Sequence, residues 1–174
     1  SDLLASHSAV DCMLSKLCLP IALDTADISR LDEIIKRGKP LHDGDHLFQQ
    51  TQPFSSIYAV RSGSLKSYSV SEDGKESITG FHFPGEILGI DGIGRNQHAS
   101  SAVAMEMSTI CEIPFTELER LSQQLPTLQR HCFQLMSHEI IEDQQLIALL
   151  SKSDAEERIA TFILSLSARR ARQG

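Results

Sequence analysis

The 174 residues lack an excess of positive charge: 16 Lys and Arg stand against 23 Asp and Glu, a net charge of −7. Duplex DNA repels such a surface, so this stretch alone is a poor nucleic-acid binder. Long hydrophobic runs are missing too, and nothing approaches the roughly 20 apolar residues that cross a bilayer. Ser1-Asp2 opens the sequence with no basic segment and no small-residue cleavage pattern, so no signal peptide is expected. Four cysteines are too few for a disulfide scaffold at this length. The combination predicts a cytoplasmic protein with thiols free for chemistry. Catalytic signatures are absent as well. There is no His-Glu-x-x-His, no Gly-x-Ser-x-Gly and no Gly-x-x-x-x-Gly-Lys, and the glycines near Gly85 and Gly89 make no dinucleotide fingerprint. An enzyme is not expected.

What is present is ordinary globular material, 41% hydrophobic and 22% charged, enough for one core. Glycine divides it. Nine of the ten glycines lie from Gly38 to Gly94, and none lies between Arg95 and Gln173. Turn-rich β structure uses positive φ and helices avoid it, so the middle reads as β and the last third as α. Residues 24–37 carry Ile28, Leu31, Ile34 and Ile35 on one helical face, with Asp24 or Thr25 as cap and Gly38 as stop. Short strands follow at 46–48, 56–61, 64–70, 77–83, 100–107 and 108–115. The turn Glu72-Asp73-Gly74-Lys75 joins two of them as a hairpin, and Pro84-Gly85-Glu86 makes another turn. This pattern predicts a barrel or jelly roll. Thr116 and Glu119 form a capping-box pair, Pro126 opens a long helix to about Ser151, and Ser153-Asp154 caps a last one.

The long helix has two apolar faces. Met136, Ile140, Asp143, Ile147 and Leu150 recur at spacings of 4, 3, 4 and 3, a heptad seam. Leu128, Leu135, Ile141, Leu146 and Leu149 supply the other face. One face can sit on the barrel, and the other fits a second copy of the chain. Burial of both faces within one chain is the competing arrangement. Asp143 lies in the seam. Two such carboxylates at ~5 Å and an effective dielectric of ~20 repel by ~3 kcal/mol. A seam with its own repulsive element suits a switchable dimer. Rotation of Asp143 into water is the alternative.

Cys132, beside Phe133, reads as a packed helical thiol. Cys111 lies on or beside the last strand. Cys12-x5-Cys18 precedes the first helix in a stretch with little packing pattern, where a metal or cluster would supply a reason to order. Spacing alone leaves that open against plain thiols, since clusters and zinc usually take four ligands. His131 and His138, seven apart, share one helix face that is expected to be solvated or near the seam.

These segments resemble one family. Gly85-Glu86 after a β run, followed by a long helix, is the layout of the CRP/FNR regulators. Leu17-Cys18-Leu19-Pro20, Ala59 to Lys66, Ile78 to His82, Cys111 to Phe115, Leu149 to Lys152 and Ala155 to Arg158 look like its FNR branch, over nearly the whole chain. The resemblance implies an α+β fold. A cyclic-nucleotide-binding-like β jelly-roll barrel with a short N-terminal helix is followed by a long dimerisation helix and a further C-terminal helix. It implies an N-terminal cysteine segment (1–20), a sensory barrel (21–120), a dimerisation helix (121–152) and the start of a linker to a DNA-binding domain (153–174). The implied activity is that of an oxygen-responsive, anaerobic transcription regulator. A [4Fe–4S] cluster would control dimerisation, and hence DNA binding by the full-length protein. The metal ligands carried over are Cys12, Cys18 and Cys111. Ala9 stands where the family has its first cysteine, so His7, Asp11 or a small exogenous molecule would complete the set. The family's seam aspartate matches Asp143. The hairpin Asp73-Gly74-Lys75 falls in a region that contacts RNA polymerase; a plain solvated turn is the alternative. Cyclic-nucleotide receptors of the superfamily place an arginine downstream of Gly-Glu, where this sequence has His98-Ala99-Ser100-Ser101. No cyclic nucleotide is therefore expected. A cluster-free sensor of nitric oxide, haem or another small ligand is the alternative function.

Overall fold

In a computed structural model, residues 25–151 and 155–171 are described. Helix α1 (Thr25–Ile34) comes first, then β1 (Lys36–Arg37), β2 (His46–Phe48), β3 (Ser56–Ser62), β4 (Leu65–Val70), β5 (Glu76–His82) and β6 (Ile87–Leu88). A 3-10 turn (Ile90–Gly92) leads to β7 (Ser101–Ala104) and β8 (Thr109–Pro114). Three helices finish the chain: α2 (Phe115–Gln124), α3 (Pro126–Leu150) and α4 (Ala155–Ala171). The strands form two four-stranded antiparallel sheets, ordered β1-β8-β3-β6 and β2-β7-β4-β5. This is the α+β barrel with trailing helices that the sequence implied.

Alternation along the strands sorts two cores. Phe48, Val60, Leu65, Leu88, Ala102, Ala104 and Ile110 meet between the sheets. Ile57, Ala59, Cys111 and Ile113 point the other way, onto Leu31 of α1, Leu118 and Leu121 of α2, and Leu128 and Leu135 of α3. Because β3 and β8 bury both faces, they read as near-continuous apolar runs. The second sheet has no such cover on most of β5, whose first residues are exposed.

Local differences from the sequence expectation have local causes. The first helix stops at Ile34 instead of running to 37, because Lys36 and Arg37 pair with Glu112 and Cys111. Gly38 is not among the positive-φ glycines, so it is no left-handed cap. Asp24 lies outside the described residues. The Thr116–Glu119 capping box does not form: Pro114 is the N-cap residue, with no side-chain cap bond, and Thr116 falls inside the first turn. The strand expected over 100–107 is only Ser101–Ala104, because Met105 N turns to bond Ser64 O at 2.9 Å. The cap of α4 at Ser153-Asp154 lies outside the described residues.

Candidate functional site

On α3, Leu128, His131, Leu135 and Leu149 are buried, and Leu128 and Leu135 pack in the cluster shared with β3 and β8 of the barrel. The opposite face is bare. Ile140 is 57% exposed and Ile147 64% exposed, with Asp143 exposed between them. Met136, the first of the heptad positions, is half-buried. Leu150 closes the helix, and its side chain is outside the described set. Ile141, which the sequence assigns to the barrel face, is exposed beside Ile140. It widens the apolar stripe rather than the core contact. The carboxyl of Asp143 is pushed up, by burial first and by the charge of Glu142 second. Glu139, one turn before it, is pushed up to about 8 by burial, Glu142, Asp143 and Glu86, while Arg169 acts in the opposite direction.

Cys111 sits on β8 with 1% exposure, inside the apolar cluster shared with α1, α2 and α3. Cys132 packs against the same cluster, and burial raises its thiol to about 11, as an inert packed cysteine requires. Cys12, Cys18, His7, Ala9 and Asp11 lie outside the described residues. Among the described residues no group of three or more His, Cys, Asp and Glu gathers to hold a metal.

His131 departs from expectation. It is 2% exposed, and neither ring nitrogen has a hydrogen-bond partner. Burial lowers its pKa. A spacing of seven residues keeps it within about 20° of His138 around the helix, but the cover over His131 does not extend to His138. His138 is exposed and lies 3.2 Å from Glu142.

Asp73, Gly74 and Lys75 form the exposed hairpin tip, where Gly74 has φ 81°. The Ser71 hydroxyl donates to Asp73, and this bond leads the lowering of the Asp73 pKa. The stretch in the place of a phosphate-binding arginine is engaged elsewhere. The His98 ring stacks on Phe48 at 3.9 Å, with Nδ1 3.3 Å from Asp91. The Ser100 hydroxyl donates to Asp91 at 2.8 Å, and the Ser101 hydroxyl oxygen accepts from Gln50 N at 2.8 Å.

One pairing escaped the sequence reading. Arg169 of α4 reaches Glu86 in the turn between β5 and β6, with Nη2 2.8 Å and 2.7 Å from the two carboxylate oxygens. Nothing in spacing signals it, because the two residues stand 83 apart.

No described helix is long and apolar enough to cross a membrane. The cyclic nucleotide-binding domain family matches residues 39–125. The chain is 53% identical over 159 residues to the transcriptional activator protein Anr of Pseudomonas aeruginosa, covering 91% of this chain and 65% of that protein. It is 48% identical over 164 residues to the fumarate and nitrate reduction regulatory protein of Escherichia coli, covering 94% of this chain and 66% of that one. The chain thus spans about two thirds of the length of these relatives. Among solved structures, FixK2 of Bradyrhizobium japonicum superposes with a TM-score of 0.71 at 23% identity, over 78% of this chain and 67% of that chain. The sensor domain of the regulator DNR from Pseudomonas aeruginosa gives 0.59 at 16% identity, over 76% and 86%. Fold, matched residues and sequence identity agree: the chain belongs to the cyclic nucleotide-binding domain family, within the FNR branch of the CRP/FNR regulators.

Proposed function

We propose that this chain is the sensory and dimerisation region of an oxygen-responsive, anaerobic transcription regulator that works in the cytoplasm. The observation that carries the reading is the bare stripe Ile140–Asp143–Ile147, on a helix whose other face is buried against the barrel. An apolar stripe of this kind calls for a partner. A second copy offers a self-complementary one about a two-fold axis. Asp143 at its centre opposes the pairing, so association balances apolar burial against carboxylate repulsion. A balance of a few kcal/mol is one that a modest added contact can tip.

The donor set fits an iron–sulfur cluster in part. Thiolates suit iron–sulfur centres, and Cys111 comes from a rigid strand in a dry, apolar surround that would limit access of water and oxidant. Cys12 and Cys18, within segment 1–20, would add two thiolates, and His7 or an exogenous molecule would complete a [4Fe–4S] set at the iron left by Ala9. When bound, such a cluster would supply an oxygen-labile cross-link between this segment and β8. The helices that cover Cys111 include α3, so ordering the segment there bears on the dimerisation helix. DNA binding belongs to the full-length protein, with the hairpin Asp73-Gly74-Lys75 as a contact for RNA polymerase. No cyclic nucleotide is part of the reading, since His98, Ser100 and Ser101 offer no guanidinium fork.

Ala9 favours one competing reading, a cluster-free sensor of nitric oxide, haem or another small ligand. Iron and acid-labile sulfide assays on anaerobically purified protein separate the two. Both species are expected, together with a shift to dimer on sedimentation. Absence of both removes the cluster reading.

A further inference from the structure

The turn after β5 is built to present a carboxylate. Gly85 takes φ 86°, and its N–H donates to Val60 O at 2.8 Å. Val60 N–H donates to Glu86 O at 3.0 Å, pinning the turn to β3. The Glu86 carboxylate also accepts from Phe83 N–H at 2.8 Å. These bonds leave the carboxylate at a fixed point on the barrel surface, beside the edge strand β5.

Helix α4 answers it with a cation. Arg169 Nη2 donates to both Glu86 oxygens and to Phe81 O at 2.7 Å, and Nε donates to Glu86 at 3.2 Å. The guanidinium carbon stands 5.5 Å from the centroid of the Phe83 ring. Seven residues earlier on α4, the Phe162 ring meets Phe81 at 6.0 Å. Two successive sites on one face of α4 therefore grip β5 and its turn. Both side chains of the ion pair are only 19% exposed. A forked, charge-assisted pair so shielded from water is stronger than an ordinary surface ion pair. Elsewhere on α4, Ile159, Ile163 and Leu164 are exposed, and no described α4 residue is fully buried.

We propose that Arg169 is a latch that uses Glu86 as its catch, making α4 the built-in occupant of the Gly85–Glu86 turn. The latch holds the C-terminal helix to the sensor barrel. Anything that takes Glu86, whether an added cation or a guanidinium from another chain, frees α4 without opening the barrel. The contact gives the barrel a route to the end of the chain independent of the thiols, so it stands whether or not a cluster is bound.

Amide hydrogen exchange on the 174-residue chain tests it, comparing wild type, Arg169→Ala, Glu86→Gln and the double variant. Exchange across α4 should rise about tenfold or more in each single variant, while β3 and β8 keep wild-type protection. The double variant should match the singles, because both remove one shared interaction. Unchanged α4 exchange in Arg169→Ala and Glu86→Gln would overturn the latch. So would loss of protection in β3 and β8 together with α4, or effects that simply add in the double variant.

Discussion

A Cβ on Gly63 would lie 2.2 Å from Ser108 Oγ and 2.5 Å from Met107 O. Ser108 is fully buried there, its Oγ accepting from Ser64 N–H at 3.1 Å and donating to Glu106 O at 2.9 Å. This contact ties the β3–β4 turn to the entry of β8. Gly63 also has φ 84°, so both steric room and backbone conformation demand glycine. Gly63→Ala should cost roughly 3 kcal/mol or more, read as a lower urea midpoint with unchanged slope. An unmoved midpoint would contradict the close approach.

Asp143→Ala should strengthen self-association by about tenfold, because it removes like charge from the apolar stripe at an exposed position where screening limits the gain. Sedimentation velocity over a concentration series measures it. Equal dissociation constants for wild type and variant would place Asp143 outside the seam.

Stability should fall as pH rises from about 6.5 to about 8. Glu139 is raised from 4.5 to about 8 by burial and by its acidic neighbours. Its contribution is complete below 4.5 and is lost as pH climbs through 8. His82 has the opposite sign. Burial, and then Arg169, hold it at about 4 against an ordinary 6.5, so its contribution is complete above 6.5 and is lost as pH falls through 4. The two slopes oppose each other between 4.5 and 6.5, and above that Glu139 dominates. One proton limits the Glu139 slope to ~1.4 kcal/mol per pH unit. Thermal melts across this range should show the decline, and Glu139→Gln should flatten it.

What the sequence made legible was local. Glycine placement separated β from α, Asp73-Gly74 marked its hairpin, and Pro126 opened α3 where a helix tolerates it. The exposed stripe Ile140–Asp143–Ile147 was readable because heptad spacing is a property of one helix. Tertiary choices were not readable. Lys36 and Arg37 leave a helical pattern only because β8 offers an edge, and strand pairing competes with propensity from 74 or more residues away. Ile141 and His131 show the limit inside a helix: period fixes which residues share a face, not how wide a face the barrel covers. The Arg169–Glu86 pair depends on how α4 docks, which no local pattern encodes.

Restoring the missing thiol tests the donor set. Ala9→Cys should raise iron and acid-labile sulfide per chain and prolong the visible absorbance in air, since a fourth thiolate completes the usual set. Flat iron content would mean that another ligand already serves.

His131 supplies the last test. Two buried ring nitrogens without partners carry the desolvation cost of unsatisfied polar atoms, of order 1–3 kcal/mol. An apolar side chain of similar volume avoids that cost. His131→Met should therefore stabilise the chain by about 1 kcal/mol in urea at neutral pH. The gap should widen in acid. The lowered pKa of His131 means that the folded wild type resists protonation, so wild-type stability drains as pH drops below 6.5, whereas methionine has nothing to titrate. A variant less stable than wild type at both pH values would show that the imidazole holds a partner that the bare geometry of α3 does not reveal.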